Sequence, residues 1–243
     1  GDVIGNIYEQ TGHIVQKEMY LNDAGRQIKL LARSLWVRYN ELLGSHYEIP
    51  EDGYVGEYLI ETDRTLINKY GDLYQDKWNS EIENLFMEEA VEDMLNKMLY
   101  TLKQLDIYFD IVFSEKLLFK NNIVNSTLNQ LKSKGFVYEK DGALWFKVSD
   151  LIEENDKVLI RSNDNMPTYF CDDIAYHYYK YLRGFDQVID ILGSDHQGHI
   201  PRMMASIKAL GLPEDFLKII LHQFVNIKKD DELIRISTRR GEF

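Results

Sequence analysis

Residues 191–203, I-L-G-S-D-H-Q-G-H-I-P-R-M, end an apolar run at a glycine and then release Asp195, His196 and His199. Histidine and carboxylate side chains ligate divalent metals, so a metal-dependent hydrolase could be built on these three residues. The spacing argues against that reading. His196 and His199 stand three apart, whereas paired zinc histidines on a helix usually stand four apart, and no further histidine or glutamate falls at a confirming distance. The second chemistry is ligand binding at a strand end. There Asp195 would accept from a ribose hydroxyl or a cationic ligand, and Gly193 and Gly198 would let ligand atoms approach the backbone. The plain alternative is a polar surface loop. Upstream, Y-F-C-D-D sets Tyr169, Asp172 and Asp173 at the start of a helical stretch. Acids there complement the helix dipole, or they bind a cation. Near the end, R-I-S-T-R-R brings Arg235, Arg239 and Arg240 around Ser237 and Thr238, which on residue types alone is a solvated basic turn.

The elements that must hold these residues alternate between strand and helix. "HIVQKEMYL" is strand-like, and the following stretch starts at Asn22 or Asp23 as a helix cap, carries Ile28, Leu31, Leu35, Tyr39 and Leu42 on one face, and closes at Gly44. Further on, "FVYEKDGALWFKV" is a hairpin whose Asp141-Gly142 pair supplies the positive φ angles of a tight turn. The strand "KVLIRS", the helix "CDDIAYHYYKYLRG" and the buried-strand pattern "VIDIL" come next, the last delivering Gly193 to His199. Ligands of open α/β sheets sit beyond the carboxyl ends of strands, which is where this cluster falls. "KIILHQFVNIKKDDELIRIS" reads as two strands about a polar turn.

Composition bounds the rest. The 243 residues are 44% apolar, with a net charge of -12. Residues 51–110 hold 15 acidic and 5 basic side chains, so the remainder of the chain sums to only -2. A nucleic-acid partner is therefore not excluded, although phosphate binding rests on clustered lysine and arginine. In the acidic segment Ile82, Leu85, Phe86, Ala90, Met94 and Met98 recur at helical steps, predicting an amphipathic helix pair. This segment could also be a non-catalytic helical interaction module, binding a protein through residues 80–105. Apolar runs are far shorter than the roughly 18 to 20 residues that span a bilayer. A single cysteine, Cys171, fits a reducing compartment, so the cytoplasm is expected.

The stretch 165–199, "NMPTYFCDDIAYHYYKYLRGFDQVIDILGSDHQGH", resembles bacterial-type arginyl-tRNA synthetases, class I aminoacyl-tRNA synthetases. Residues 18–34, "EMYLNDAGRQIKLLARS", 137–150, "VYEKDGALWFKVSD", and 235–243, "RISTRRGEF", resemble the same family in the same order. The resemblance implies a Rossmann-like α/β catalytic core interrupted by a largely helical connective insertion. It implies residues 1–50 as the first part of the core, 51–140 as the insertion, ending in the hairpin, and 141–243 as the second part, ending in a loop similar to the KMSKS signature.

The resemblance also implies roles. Tyr169 and Asp173 would hold the arginine side chain, and Asp195 would face the same ligand or its nucleotide. Gly193, His196 and His199 would lie by the adenosine. Arg235, Ile236, Ser237 and Thr238 occupy the signature loop, where Thr238 replaces a lysine and Arg239 and Arg240 restore cation density near the departing phosphates. The implied reaction joins arginine to its tRNA through an arginyl adenylate. ATP with Mg²⁺ would enter as substrate, tRNA(Arg) would be the acceptor, and the enzyme would be a monomer with no structural metal and no membrane partner. The HIGH motif of class I synthetases has no counterpart in residues 1–243, and "GDVIGNIYEQTGH" reads as a helix already under way, with Val3, Ile4, Ile7 and Tyr8 on one side. A partial catalytic domain, inactive alone, is the expectation.

Overall fold

A computed structural model describes residues 1–223, 225, 227–229 and 232–234. It divides into two compact units, one of residues 1–113 and 226–243, the other of 114–225.

The first unit opens with α1 (Asp2–Gln10) and β1 (Glu18–Leu21), followed by the long helix α2 (Gly25–Leu42). The helix α1 forms as expected, but Val3 and Ile7 on its anticipated apolar side are 70% and 57% exposed. Helix α2 is rich in strong helix formers, and Leu31, Ala32, Leu35, Trp36 and Tyr39 make a buried stripe at three- and four-residue steps. Its cap differs from expectation. Ala24 occupies the N-cap position, one residue past Asp23 and two past Asn22, and its methyl side chain has no oxygen to offer the first amides. The far end follows the sequence. Gly44, at φ 92°, bonds back to Glu41 O, and Ser45 N reaches Asn40 O at 2.9 Å. Leu42 turns outward, and Leu43 packs against the core in its place.

Helices α3 (Tyr58–Tyr70) and α4 (Ser80–Lys103) pack on α2. Leu59, Leu66, Ile82, Phe86 and Ala90 close a core around Trp36 and Tyr39, with the Phe86 ring edge-on to Tyr39 at 5.5 Å. Asn79 caps α4 by accepting from Ile82 N at 2.9 Å. The apolar pattern of α4 outlasts its packing, since Met98 and Tyr100 are exposed. The strand β2 (Ile111–Ser114) pairs with β1.

The second unit contains the short α5 (Lys116–Lys120), α6 (Ile123–Ser133) and a three-stranded sheet, β3 (Val137–Lys140), β4 (Ala143–Phe146) and β5 (Lys157–Ile160). The hairpin turn is the expected one: Lys140 pairs with Ala143 across Asp141 and Gly142, at φ 52° and 73°. The strand β5 joins β4 antiparallel. Next comes α7 (Tyr169–Leu182), packed against α6 and β5, and then β6 (Val188–Gly193). A 3₁₀ turn (Ser194–His199) and α8 (Ile200–Leu210) return the chain to β7 (Leu217–His222), parallel to β6. This β–α–β passage is the parallel element that sets the site.

The expected pair of C-terminal strands is instead three. The strand β7 belongs with β6, while β8 (Ile227–Lys229) and β9 (Glu232–Ile234) form a separate antiparallel hairpin. No helix among the described residues is long and apolar enough to cross a membrane.

Candidate active site

The helix α7 presents the first group of side chains. Thr168, extended at the N-cap, accepts from Cys171 N at 3.4 Å, and Phe170, Cys171, Ile174 and Ala175 bury one side of the helix. Phe170 stacks at a tilt on the fully buried Phe146, with centroids 6.0 Å apart. This anchoring turns Tyr169 outward, 68% exposed, and leaves the Asp173 carboxylate 43% exposed, one helical turn away.

Asp172 points the other way and is 6% exposed, with Oδ1 buried and unbonded. Burial pushes its carboxyl up to about 7, and the charges of Glu115 and Asp173 add to the rise, against the pull of Arg161. Arg161 is itself clamped by Asp164 through bonds of 3.1 and 2.8 Å. Of the two neighbouring acids, Asp173 is the one a solute can reach.

Beneath this surface α7 is tied to β6. Asp190, inside the strand, accepts from His177 Nε2 at 2.6 Å and from Lys180 Nζ at 3.1 Å, and His177 Nδ1 lies 2.7 Å from Asp173 O. Both imidazole nitrogens thus face oxygen atoms. These three residues escape a reading by stretches, yet they left a signal: an aspartate interrupts the apolar V-I-D-I-L, and a histidine and a lysine stand one helical turn apart on the preceding helix.

At the end of β6, Gly193 continues the extended backbone at φ -66° into the 3₁₀ turn. Asp195 and His196 are 59% and 51% exposed, 3.9 Å apart. Gly198 has nothing within 4 Å of where a Cβ would sit, so the backbone there is open to approach. His199 parts company with them. Its side chain is 18% exposed, packs edge-on against Phe170 at 5.6 Å, and brings Nε2 to 3.0 Å from Asp173 Oδ2. The distance is short, but the angles fall outside those of a hydrogen bond, so the contact is electrostatic. On its other side His199 Nδ1 accepts from Arg202 Nε at 3.1 Å, and Arg202 Nη1 lies 3.5 Å from Glu154.

The structure thus joins Asp173 to His199 and adds Arg202 and Glu154, which the sequence reading missed. It leaves Asp195 and His196 as an exposed pair beside them. Among the described residues no group of three histidine, cysteine, aspartate or glutamate side chains converges as a metal would need. Arg235, Ile236, Ser237, Thr238, Arg239 and Arg240 lie outside the described residues.

A family model for class I (R) tRNA synthetases, catalytic domain, matches residues 1–243. The arginine–tRNA ligases of Thermotoga petrophila and Heliobacterium modesticaldum are 56% and 44% identical over 243 residues. The match takes in all of this chain but 44% and 43% of theirs, so the chain spans less than half the length of these relatives. A crystal structure assigned to an arginyl-tRNA synthetase of Campylobacter jejuni superposes with a TM-score of 0.88 at 34% identity, over 97% of this chain and 51% of that one. The Thermus thermophilus arginyl-tRNA synthetase, at 18% identity and a TM-score of 0.64 over 92% of this chain and 44% of its own, shares the fold.

Proposed function

We propose that this chain, which belongs to the class I (R) tRNA synthetase catalytic-domain family, supplies the amino-acid pocket and part of the nucleotide site for ligation of arginine to tRNA(Arg). In this reading residues 1–50 and 141–243 make up the two parts of the catalytic core and 51–140 the connective insertion. The reaction activates arginine with ATP to an arginyl adenylate and pyrophosphate, then passes the arginyl group to the terminal ribose of tRNA(Arg). Mg²⁺ arrives with the ATP, and the working enzyme is a cytoplasmic monomer.

The observation that carries the proposal is Asp173: a solvent-reachable carboxylate on an anchored helix, at the carboxyl end of a parallel strand, in a chain of this family. A guanidinium presents a planar fork of donors that a carboxylate meets with two parallel bonds, and a lysine ammonium cannot match that geometry. Tyr169, one turn before it, closes on the same side chain. Asp195, Gly193, His196 and His199 face the nucleotide or the ligand's backbone atoms. Ile236, Ser237 and Thr238 wrap the phosphates, with Arg235, Arg239 and Arg240 meeting the charge that develops as pyrophosphate leaves. No covalent enzyme intermediate is required, and positioning and charge stabilisation carry the rate.

A test uses a full-length chimera in which this chain replaces the matching 44% of the Thermotoga petrophila ligase. Asp173→Asn should raise the KM for arginine roughly 10- to 100-fold, the worth of a charged hydrogen bond of about 1.5 to 3 kcal/mol, and change the KM for ATP by less than about threefold. Equal losses for both substrates would move Asp173 out of the arginine pocket.

A further inference from the structure

The carboxylate of Asp173 reaches solvent, while its main-chain carbonyl is hydrogen-bonded to the His177 ring one helical turn on, with Nδ1 at 2.7 Å. The ring is 6% exposed and spends its other nitrogen, Nε2, on Asp190 Oδ2 at 2.6 Å. Lys180, also buried, donates to the remaining oxygen, Oδ1, at 3.1 Å. Its ammonium lies 4.1 Å from the centroid of the Tyr176 ring, a contact that holds the side chain in one direction. Asp190 stands inside β6, opposite Ile219 of β7, and the same strand ends three residues later at Gly193. One carboxylate thereby connects the root of Asp173 to the strand that delivers Asp195.

An apolar interface would hold α7 on β6 as firmly, without the cost of desolvating a carboxylate and an ammonium. Apolar contact has no preferred direction, however, whereas hydrogen bonds near 3 Å fix angle as well as distance. What the polar tie adds is register between the first turn of α7 and the end of β6. We propose that His177, Asp190 and Lys180 are positioning residues for the Asp173 carboxylate: Asp190 and Lys180 set the His177 ring, which sets the Asp173 main chain and so the place of its side chain relative to Gly193. This rests on the reading of Asp173 as the arginine-binding acid. An amino acid gripped at Asp173 must present its carboxyl group to ATP near the strand end, and a misplacement of about 1 Å there can cost on the order of 100-fold in rate.

The test uses the same chimera. Asp190→Asn keeps the size of the side chain and removes its charge, and it should raise the arginine KM about tenfold while the ATP KM changes less than about twofold. Lys180→Met keeps the stem beside Tyr176 and the His177–Asp190 bond, so it folds more readily and should show the same pattern at about threefold. In an Asp173→Asn background each change should cost less than about twofold, because no carboxylate is left to position. A brace that only stabilises the fold would lower the amount of active enzyme and leave both KM values alone. That result, equal rises in both KM values, or an arginine loss that persists in full without Asp173, overturns the proposal. In the 243-residue chain, the carbonyl carbon of Asp173 observed by NMR should shift in both variants, and an unmoved resonance also overturns it. If Asp173→Asn by itself leaves arginine affinity intact, the arginine reading falls, and the carbonyl resonance still decides whether the tie sets the Asp173 main chain.

Discussion

Two largely shielded carboxylates, the fully buried Asp63 in the helical region and the part-buried Asp190 in the parallel β–α–β region, have opposite fates. Asp63, on α3, is 0% exposed and neither of its oxygens has a hydrogen-bond partner. Burial pushes its carboxyl up to about 9. The nearby Arg38 pulls the other way and Glu41 adds to the rise, but Arg38 directs Nη1 to Glu41 and Nη2 to Val55 O and makes no hydrogen bond to Asp63. Burial would raise Asp190 in the same way. There the charge and hydrogen bond of His177, followed by those of Lys180, reverse the effect and hold the carboxyl well below the usual carboxylate range. Burial alone does not decide whether an acid stays charged; the cations delivered to it do. On α7 a single helical turn delivers two. On α3 none is aimed.

The largest way to break this contrast is Asp190→Ala. It leaves His177 and Lys180 buried without their anion and should cost about 3 to 5 kcal/mol in urea unfolding of the 243-residue chain at pH 7. A loss under 1 kcal/mol would mean the two cations find water or other partners. Next is Asp63. Its folded pKa is raised from 3.8, so its contribution to stability is full below about pH 4 and drains away as pH climbs toward 9. Between pH 5.5 and 8 that amounts to about 3 kcal/mol, and Asp63→Asn should flatten the slope. Asp190 has the opposite sign, with its stabilisation present above pH 3.8 and lost only as pH falls further, so it adds nothing to the slope in that window. The smallest change sharpens the comparison with an intermediate case. Asp172, raised to about 7, should lose stability from about pH 4 to 7, and Asp172→Asn should recover about 1 to 2 kcal/mol at pH 8. An Asn variant less stable than the parent at pH 8 would mean that Asp172 has a charged partner after all.

What the sequence disclosed follows the same division between local and assembled interactions. The hairpin at Asp141-Gly142, the close of α2 at Gly44 and the burial of Leu31, Leu35 and Tyr39 rest on turn geometry and on a 3.6-residue period, both written in neighbouring residues. The helix α2 begins one residue later than the Asn22–Asp23 pair suggests, because Ala24, with no capping chemistry of its own, takes the N-cap position. The strands after residue 216 were undercounted because pairing of β7 with β6 depends on a partner some 30 residues earlier, which no local pattern names. In the candidate site, the choice of Asp173 rests on a family resemblance. The Glu154, Arg202 and His199 chain was not, since its members come from a loop, a helix and a 3₁₀ turn that only folding brings together.

Cys171, the single sulfhydryl of the chain, gives α7 a built-in clock. It lies in the first turn of α7 at 2% exposure, two residues from Asp173, and burial, reinforced by the Asp172 charge, holds the thiol well above its usual range. While that turn stays folded an alkylating reagent meets neither an accessible sulfur nor a thiolate. Covalent labelling therefore proceeds only during excursions in which the turn comes apart, and its rate tallies them. A ligand that grips Asp173 must slow the tally by the same factor by which it holds the turn shut, so mass gain on one sulfur becomes a record of occupancy at the neighbouring acid.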